Sequence, residues 1–292
     1  MTLEGRVRAT GRSPIALARG IILLMNPRTT VPLRVTLFLL RGGSYLRRRF
    51  SFNDATMPPA RIKSFEKYLP YLVGKCGLEI GGPTGIFCEG DILPVYQYIG
   101  ELDNCDFSSS TAWAKHSESF TFNPRKAAGK TFFLDGSELT GISNSTYDVL
   151  LSSHNLEHLA NPVKALTEWR RVLKPNGALV LILPYFRATF DHRRQPTSVD
   201  HMFKDFEEGT GEDDLTHLPE IFEKHDLACD AGAGTPDQFR IRSLNNFSNR
   251  CLHHHVFDEH NSVELLSRSG YEVLTLDFRL PSHMCMLARV AS

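Results

Sequence analysis

The chain has 292 residues, 41% of them apolar and 23% charged, and its 33 basic and 33 acidic side chains cancel to a formal charge of zero. That composition is ordinary for a soluble globular protein and allows one large α/β domain, or a core domain with an appendage, around a sizeable core. Six scattered cysteines without a Cys-x-x-Cys pair exclude a zinc-finger framework and favour a reducing, intracellular setting, read as cytoplasmic.

Residues 1–50 hold ten arginines against one acid, Glu4. The apolar runs 21–25 and 37–40 fall far short of the ~20 residues that a membrane-spanning helix needs. Residues 14–25 and 31–49 instead read as short amphipathic helices with an arginine-studded face. Such a pattern suits peripheral contact with an anionic membrane surface, a basic lid packed on a catalytic domain, or an organellar transit sequence. Met57-Pro58-Pro59 closes this 1–57 extension.

From 58 to 292, short apolar runs alternate with helical stretches, the pattern of βα units and a mostly parallel sheet. A helix over 65–73 leads into a strand at 77–80, and a helix over 92–99 leads toward an acidic strand end at 101–103. Strands follow at 131–134 and 148–152, the second nearly all apolar as a strand buried on both faces should be. Pro162 opens a helix that turns Val163, Leu166, Trp169 or Val172, and Leu173 toward the sheet, and Asn176-Gly177 ends it before a strand at 178–183. Periodicity fades over 185–250, a polar insertion with one helix at 218–224. A helix over 261–268, a strand at 271–278 and a last strand at 283–290 complete the chain.

The segment Leu78-Glu79-Ile80-Gly81-Gly82-Pro83-Thr84-Gly85 joins an acid-ended apolar strand to a glycine turn, the arrangement that brings backbone close to a nucleoside-bearing ligand beyond the carboxyl ends of an open sheet. Together with Leu102-Asp103, Leu134-Asp135-Gly136, His154-Asn155-Leu156-Glu157-His158 and Arg171-Val172-Leu173-Lys174-Pro175, it resembles the class I S-adenosylmethionine-dependent methyltransferases. Residues 78–87, Asp191-His192-Arg193 and His255-Val256-Phe257-Asp258 look most like bacterial stand-alone members of glycan or secondary-metabolite pathways. The resemblance implies an α/β fold, a Rossmann-like seven-stranded, mostly parallel sheet with a C-terminal antiparallel strand, and S-adenosyl-L-methionine as cofactor. It places Glu79, Gly81, Gly82 and Gly85 around the amino acid part of the cofactor, Asp103 on the ribose with Glu101 and Asp106 as neighbouring candidates, Asp135 with Gly136 at the adenine, and Ser153 to Asn155 on the methionine side. Pro83 departs from the usual glycine pattern and removes one N–H donor from the loop.

Methyl transfer needs donor and acceptor held together and, for a hydroxyl acceptor, a base near neutral pKa, for which histidine is suited. Candidates are His158, His192, His201, His253, His254 and His255, of which His192, with Asp191 to orient it, and His158 are preferred; Arg193 and Arg194 offer charge for an anionic acceptor. His154 to His158 also fits an inverted zinc-protease signature, but no third ligand is evident and no metal is expected. Glu207-Glu208 and Glu212 to Asp214 read as a solvated acidic loop, and residues 253–255 should point alternate imidazoles to opposite faces. These features favour O-methylation of a polar hydroxylated acceptor, a sugar or lipid-linked saccharide. The alternatives are an N- or C-methyltransferase on a small metabolite and a non-catalytic scaffold. No nucleic-acid partner is expected, because aromatics are not interleaved with the arginines.

Overall fold

The computed structural model describes residues 61–112 and 115–291. The basic segment 1–57 and its expected amphipathic helices lie outside the described residues. The helix expected over 65–73 is shorter than its apolar pattern suggested: a 3-10 turn, Phe65–Lys67, runs into the single α-turn α1, Leu69–Leu72. Chain order continues with β1 (Cys76–Ile80), α2 (Val95–Tyr98), β2 (Glu101–Asp106), β3 (Ser119–Phe120), β4 (Gly129–Phe133), β5 (Tyr147–Ser153), α3 (Pro162–Val172) and β6 (Leu173–Pro184). The C-terminal part adds α4 (Val199–Glu208), α5 (Leu218–Lys224), α6 (Pro236–Leu244), α7 (Asn246–Asn249), α8 (Glu259–Arg268), β7 (Tyr271–Arg279) and β8 (His283–Val290).

The strands form one sheet in the order β3-β4-β2-β1-β5-β6-β8-β7. From β4 to β6 the pairing is parallel; β8 then pairs antiparallel with both β6 and β7. This is the expected Rossmann-like sheet with its C-terminal antiparallel strand, widened at one edge by the two-residue β3, which pairs antiparallel with β4. The order reverses between β1 and β5, and a crevice at the carboxyl ends of the flanking strands is where an open α/β sheet takes its ligand.

Helix α3 shows why the sequence folds as it does. Asn161 caps it by accepting from the Lys164 N–H at 2.9 Å, and Pro162 sits where a missing N–H costs nothing. Val163, Leu166, Trp169 and Val172 are buried against the sheet. Trp169, fully buried, also donates its indole N–H to the Gly136 carbonyl at 2.8 Å, so the packing of this helix fixes the turn after β4. The insertion is more ordered than its fading periodicity implied. Ser198 caps α4, and Thr235 and Gln238 form a capping box at the start of α6.

Candidate active site

Register decides which acid stands at the sheet edge. The expectation that Glu101 to Asp103 end the second strand is corrected: Glu101 begins β2, Asp103 pairs with Leu78 in mid-sheet, and Asp106 is the last residue. The Asp103 carboxylate accepts from the Lys130 N–H at 2.8 Å and from the Tyr147 hydroxyl at 2.9 Å, a bond that ties β5 to β2. Asp106 is buried, lies 3.1 Å from His116 Nε2, and is pushed up by burial against the pull of that histidine.

At the end of β1, Gly81 has φ +74° and donates its N–H to the Cys105 carbonyl at 2.8 Å, while Gly82 donates to Asn104 Oδ1 at 2.9 Å. A Cβ on Gly81 would meet Asn155 Nδ2 at 2.8 Å, so the glycine lets the strand-five loop close onto the strand-one turn. Glu79 points inward. Its carboxylate is bonded by the Tyr96 hydroxyl at 2.9 and 2.7 Å and accepts from the Thr84 N–H at 3.2 Å, which holds the loop leading to Gly85 from behind. Asn104 Nδ2, Ser152 Oγ, Ser153 Oγ and Asn155 Oδ1 are buried without a hydrogen-bond partner among the described residues. Unsatisfied polar atoms concentrated at one strand edge suit a polar ligand that completes them.

Burial pushes Glu79 up to about 8, outweighing the bonds from Tyr96 and Thr84. The unfolded carboxyl titrates near its ordinary 4.5, so between pH 4.5 and 8 the folded chain keeps a proton that the unfolded chain has lost. This contribution to stability is complete below pH 4.5 and is lost as pH rises through 8. Glu79→Gln is expected to remove that part of the decline in melting temperature between pH 5 and 9; parallel wild-type and variant curves would contradict it.

Asp135 begins the turn after β4, where it accepts from the Ser137 N–H and hydroxyl at 2.8 Å each and pairs with Arg250 at 3.1 Å. Arg250 also pairs with Glu212, which accepts from the Ala160 N–H at 3.1 Å. Glu212 is therefore drawn into the structure and pushed up to about 7 by burial, a correction to the solvated loop expected there. Nothing in the sequence marked Arg250; its role depends on a left-handed residue (φ 52°) that ends α7 and aims it at the sheet edge.

The expected pairing of Asp191 with His192 is also corrected. His192 is exposed, its Nδ1 on the Thr189 carbonyl at 2.9 Å and its Nε2 3.5 Å from Asp226. Asp191 is buried and binds His253 Nδ1 at 2.6 Å and Arg194 at 3.0 Å. Neither neighbouring arginine stands ready for an anion: Arg193 pairs with Asp226, and buried Arg194 also donates to the His253 and His254 carbonyls. Burial drives His253 down, but the Asp191 carboxylate overcomes it and holds the imidazole above its ordinary value. His158, on the 3-10 turn Leu156–His158 after β5, has Nδ1 on the Leu252 carbonyl at 2.9 Å and packs edge-on against His253 with centroids 4.6 Å apart. Burial, then His253, push it down to about 4. A small cavity is lined by Phe190, Asp191, His225, Phe239, Arg242 and His253. The two histidines thus differ in kind: one oriented by a carboxylate, the other held neutral.

Residues 78–181 match the family described as methyltransferase domain. Over that segment, about a third of the chain, it is similar to a methyltransferase domain, and the strand order agrees with a Rossmann-like sheet. Among curated proteins, one from Aspergillus luteorubrus named "Probable methyltransferase ltbC" is 31% identical over 129 residues, 42% of this chain and 43% of that protein. The chain thus spans less than half the length of that relative. Among solved structures, an S-adenosylmethionine-dependent methyltransferase from Mesorhizobium loti is 13% identical over 77% of this chain and 95% of its own, with a TM-score of 0.46. A Burkholderia thailandensis 1,6-didemethyltoxoflavin-N1-methyltransferase is 13% identical over 79% of each chain, with a TM-score of 0.44. Among the described residues no helix is long and apolar enough to cross a membrane.

Proposed function

We propose that the chain binds S-adenosyl-L-methionine at the carboxyl ends of β1, β2, β4 and β5 and methylates a hydroxyl of a polar acceptor, such as a sugar. The observation that carries this reading is the cluster of unpartnered polar atoms on Asn104, Ser152, Ser153 and Asn155 around the Gly81 turn, flanked by carboxylates at Asp106 and Asp135. When bound, the cofactor supplies a sulfonium methyl group as electrophile. Asp106 at the end of β2 accepts from the ribose hydroxyls, taking the role expected of Asp103, because a carboxylate there can accept two hydroxyl protons at once. Asp135 and Gly136 face the adenine, Gly81, Gly82 and Gly85 leave room for close backbone approach, and Ser153 and Asn155 bind the amino acid end. Glu79 acts through the loop that it organises.

On the acceptor side, His253 takes the hydroxyl proton. Asp191 accepts from its Nδ1–H, which fixes the tautomer that leaves Nε2 basic. His158 lines the same face as a neutral group, and a lipid-linked saccharide would draw in the basic segment 1–50 against an anionic membrane. Calorimetric titration of the full chain with S-adenosyl-L-methionine should show saturable binding, weakened at least ~10-fold in Gly81→Val, where a side chain is strained and meets Asn155. No saturable binding, or equal binding by that variant, would sink the cofactor assignment; transfer of radiolabelled methyl only to amines would sink the hydroxyl assignment.

A further inference from the structure

The insertion contains a second cluster of donor groups, away from the residues assigned above. His201, Asp205, His217 and His255 each place one ligand atom within 4.8 Å of the other three. His201 and Asp205 lie one turn apart on α4, His217 precedes α5, and His255 lies on the segment that leads to α8. His201 Nε2 stands 3.3 Å from His217 Nε2 and 3.5 Å from Asp205 Oδ2, and His255 Nε2 stands 3.7 Å from the same oxygen. The three ring centroids are separated by 5.1, 5.3 and 5.9 Å, with interplanar angles of 65 to 82°.

Those separations have a physical meaning. A tetrahedral zinc ion with bonds of about 2.0–2.1 Å spaces its donor atoms about 3.3 Å apart, and the imidazole rings behind them about 5 Å apart. Asp205 is itself more than nine-tenths buried, yet Oδ2, the oxygen facing the imidazoles, has no hydrogen-bond partner among the described residues. A carboxylate oxygen turned away from water toward three imidazoles is costly unless something positive completes the group.

We propose that His201, Asp205, His217 and His255 form a structural zinc site that fastens the insertion to the segment carrying His253. His255 Nε2 lies 3.1 Å from the Ala160 carbonyl, so binding through this nitrogen displaces a proton shared with that oxygen. His201 lies at the partly exposed edge of the cluster and gives the ion its entry. The set of three imidazoles and one carboxylate suits zinc better than magnesium or calcium, which take oxygen ligands. The Glu157, His158 and His253 group is a different cluster and belongs to the proposed acceptor site.

The full chain, stripped with a chelator and titrated with Co²⁺, should develop the intense visible absorption of tetrahedral cobalt, bleached by added Zn²⁺. His217→Ala should lose this band. His201→Gln, a change at the partly exposed edge of the cluster, removes a ligand and should weaken cobalt affinity by at least the about 10- to 100-fold that loss of an outer-shell partner costs. His253→Ala should retain the band. Failure of wild type to give a tetrahedral spectrum, or a spectrum unchanged in both His201→Gln and His217→Ala, would overturn the site. The readout involves neither cofactor nor acceptor, so its failure is separable from failure of the methyl-transfer reading.

Discussion

Asp106→Asn is expected to weaken S-adenosyl-L-methionine binding by about 10- to 100-fold, the cost of one charge-assisted hydrogen bond to a ribose hydroxyl, with melting temperature little changed. Asp103→Asn is expected to do the reverse. It loosens the Tyr147 and Lys130 contacts within the sheet, costs about 1–2 kcal/mol of stability, and leaves cofactor affinity within about threefold. The two residues sit three positions apart on one strand, so calorimetry and thermal melting on this pair test the register of β2 directly. Equal loss of affinity in both variants would mean that position along the strand does not decide the role.

The second large effect falls on the acceptor side. His253→Ala and Asp191→Asn are each expected to lower kcat about 10²- to 10⁴-fold, with little change in cofactor binding, and the double variant should be scarcely worse than either. His192→Ala should leave kcat within about twofold. The pH profile adds a readout that a packing defect would not give. A base must be neutral to act, and Asp191 raises His253 above 6.5, so the acid limb of kcat should lie above pH 6.5 in wild type. In Asp191→Asn the limb should move to lower pH, because the carboxylate that favours the imidazolium is gone while burial still opposes it. An unshifted limb would remove His253 from the proton path.

Much of the catalytic domain was legible because local chemistry and tertiary packing agree there. The 218–224 helix and the 283–290 strand fall on the residues expected, and the strand at 148–152 differs only at its ends; the helix opening at Pro162 stops at Val172, and Leu173 to Gly177, expected to finish and stop it, belong to β6. Their apolar periodicity, cap residues and prolines are local signals that packing reinforces. The insertion was legible only in its 218–224 helix: weak apolar periodicity hid α4 and α6, whose starts the structure shows capped by Ser198 and by the Thr235 to Gln238 capping box.

The sequence by itself determined the sheet, its glycine turn and the set of acids from which a cofactor site could be built, since each depends on residues close together in the chain. Only the tertiary structure decided which acid ends β2. That strand buries Asn104 and Asp106, and its polar pattern is explained by the Gly82 and His116 contacts of other segments. Tertiary structure likewise turned Asp191 from His192 to His253, 62 residues away, and brought Arg250 to Asp135. Long-range pairing of charged groups follows from where helices end and which way they aim a side chain, and spacing along the chain carries no record of it.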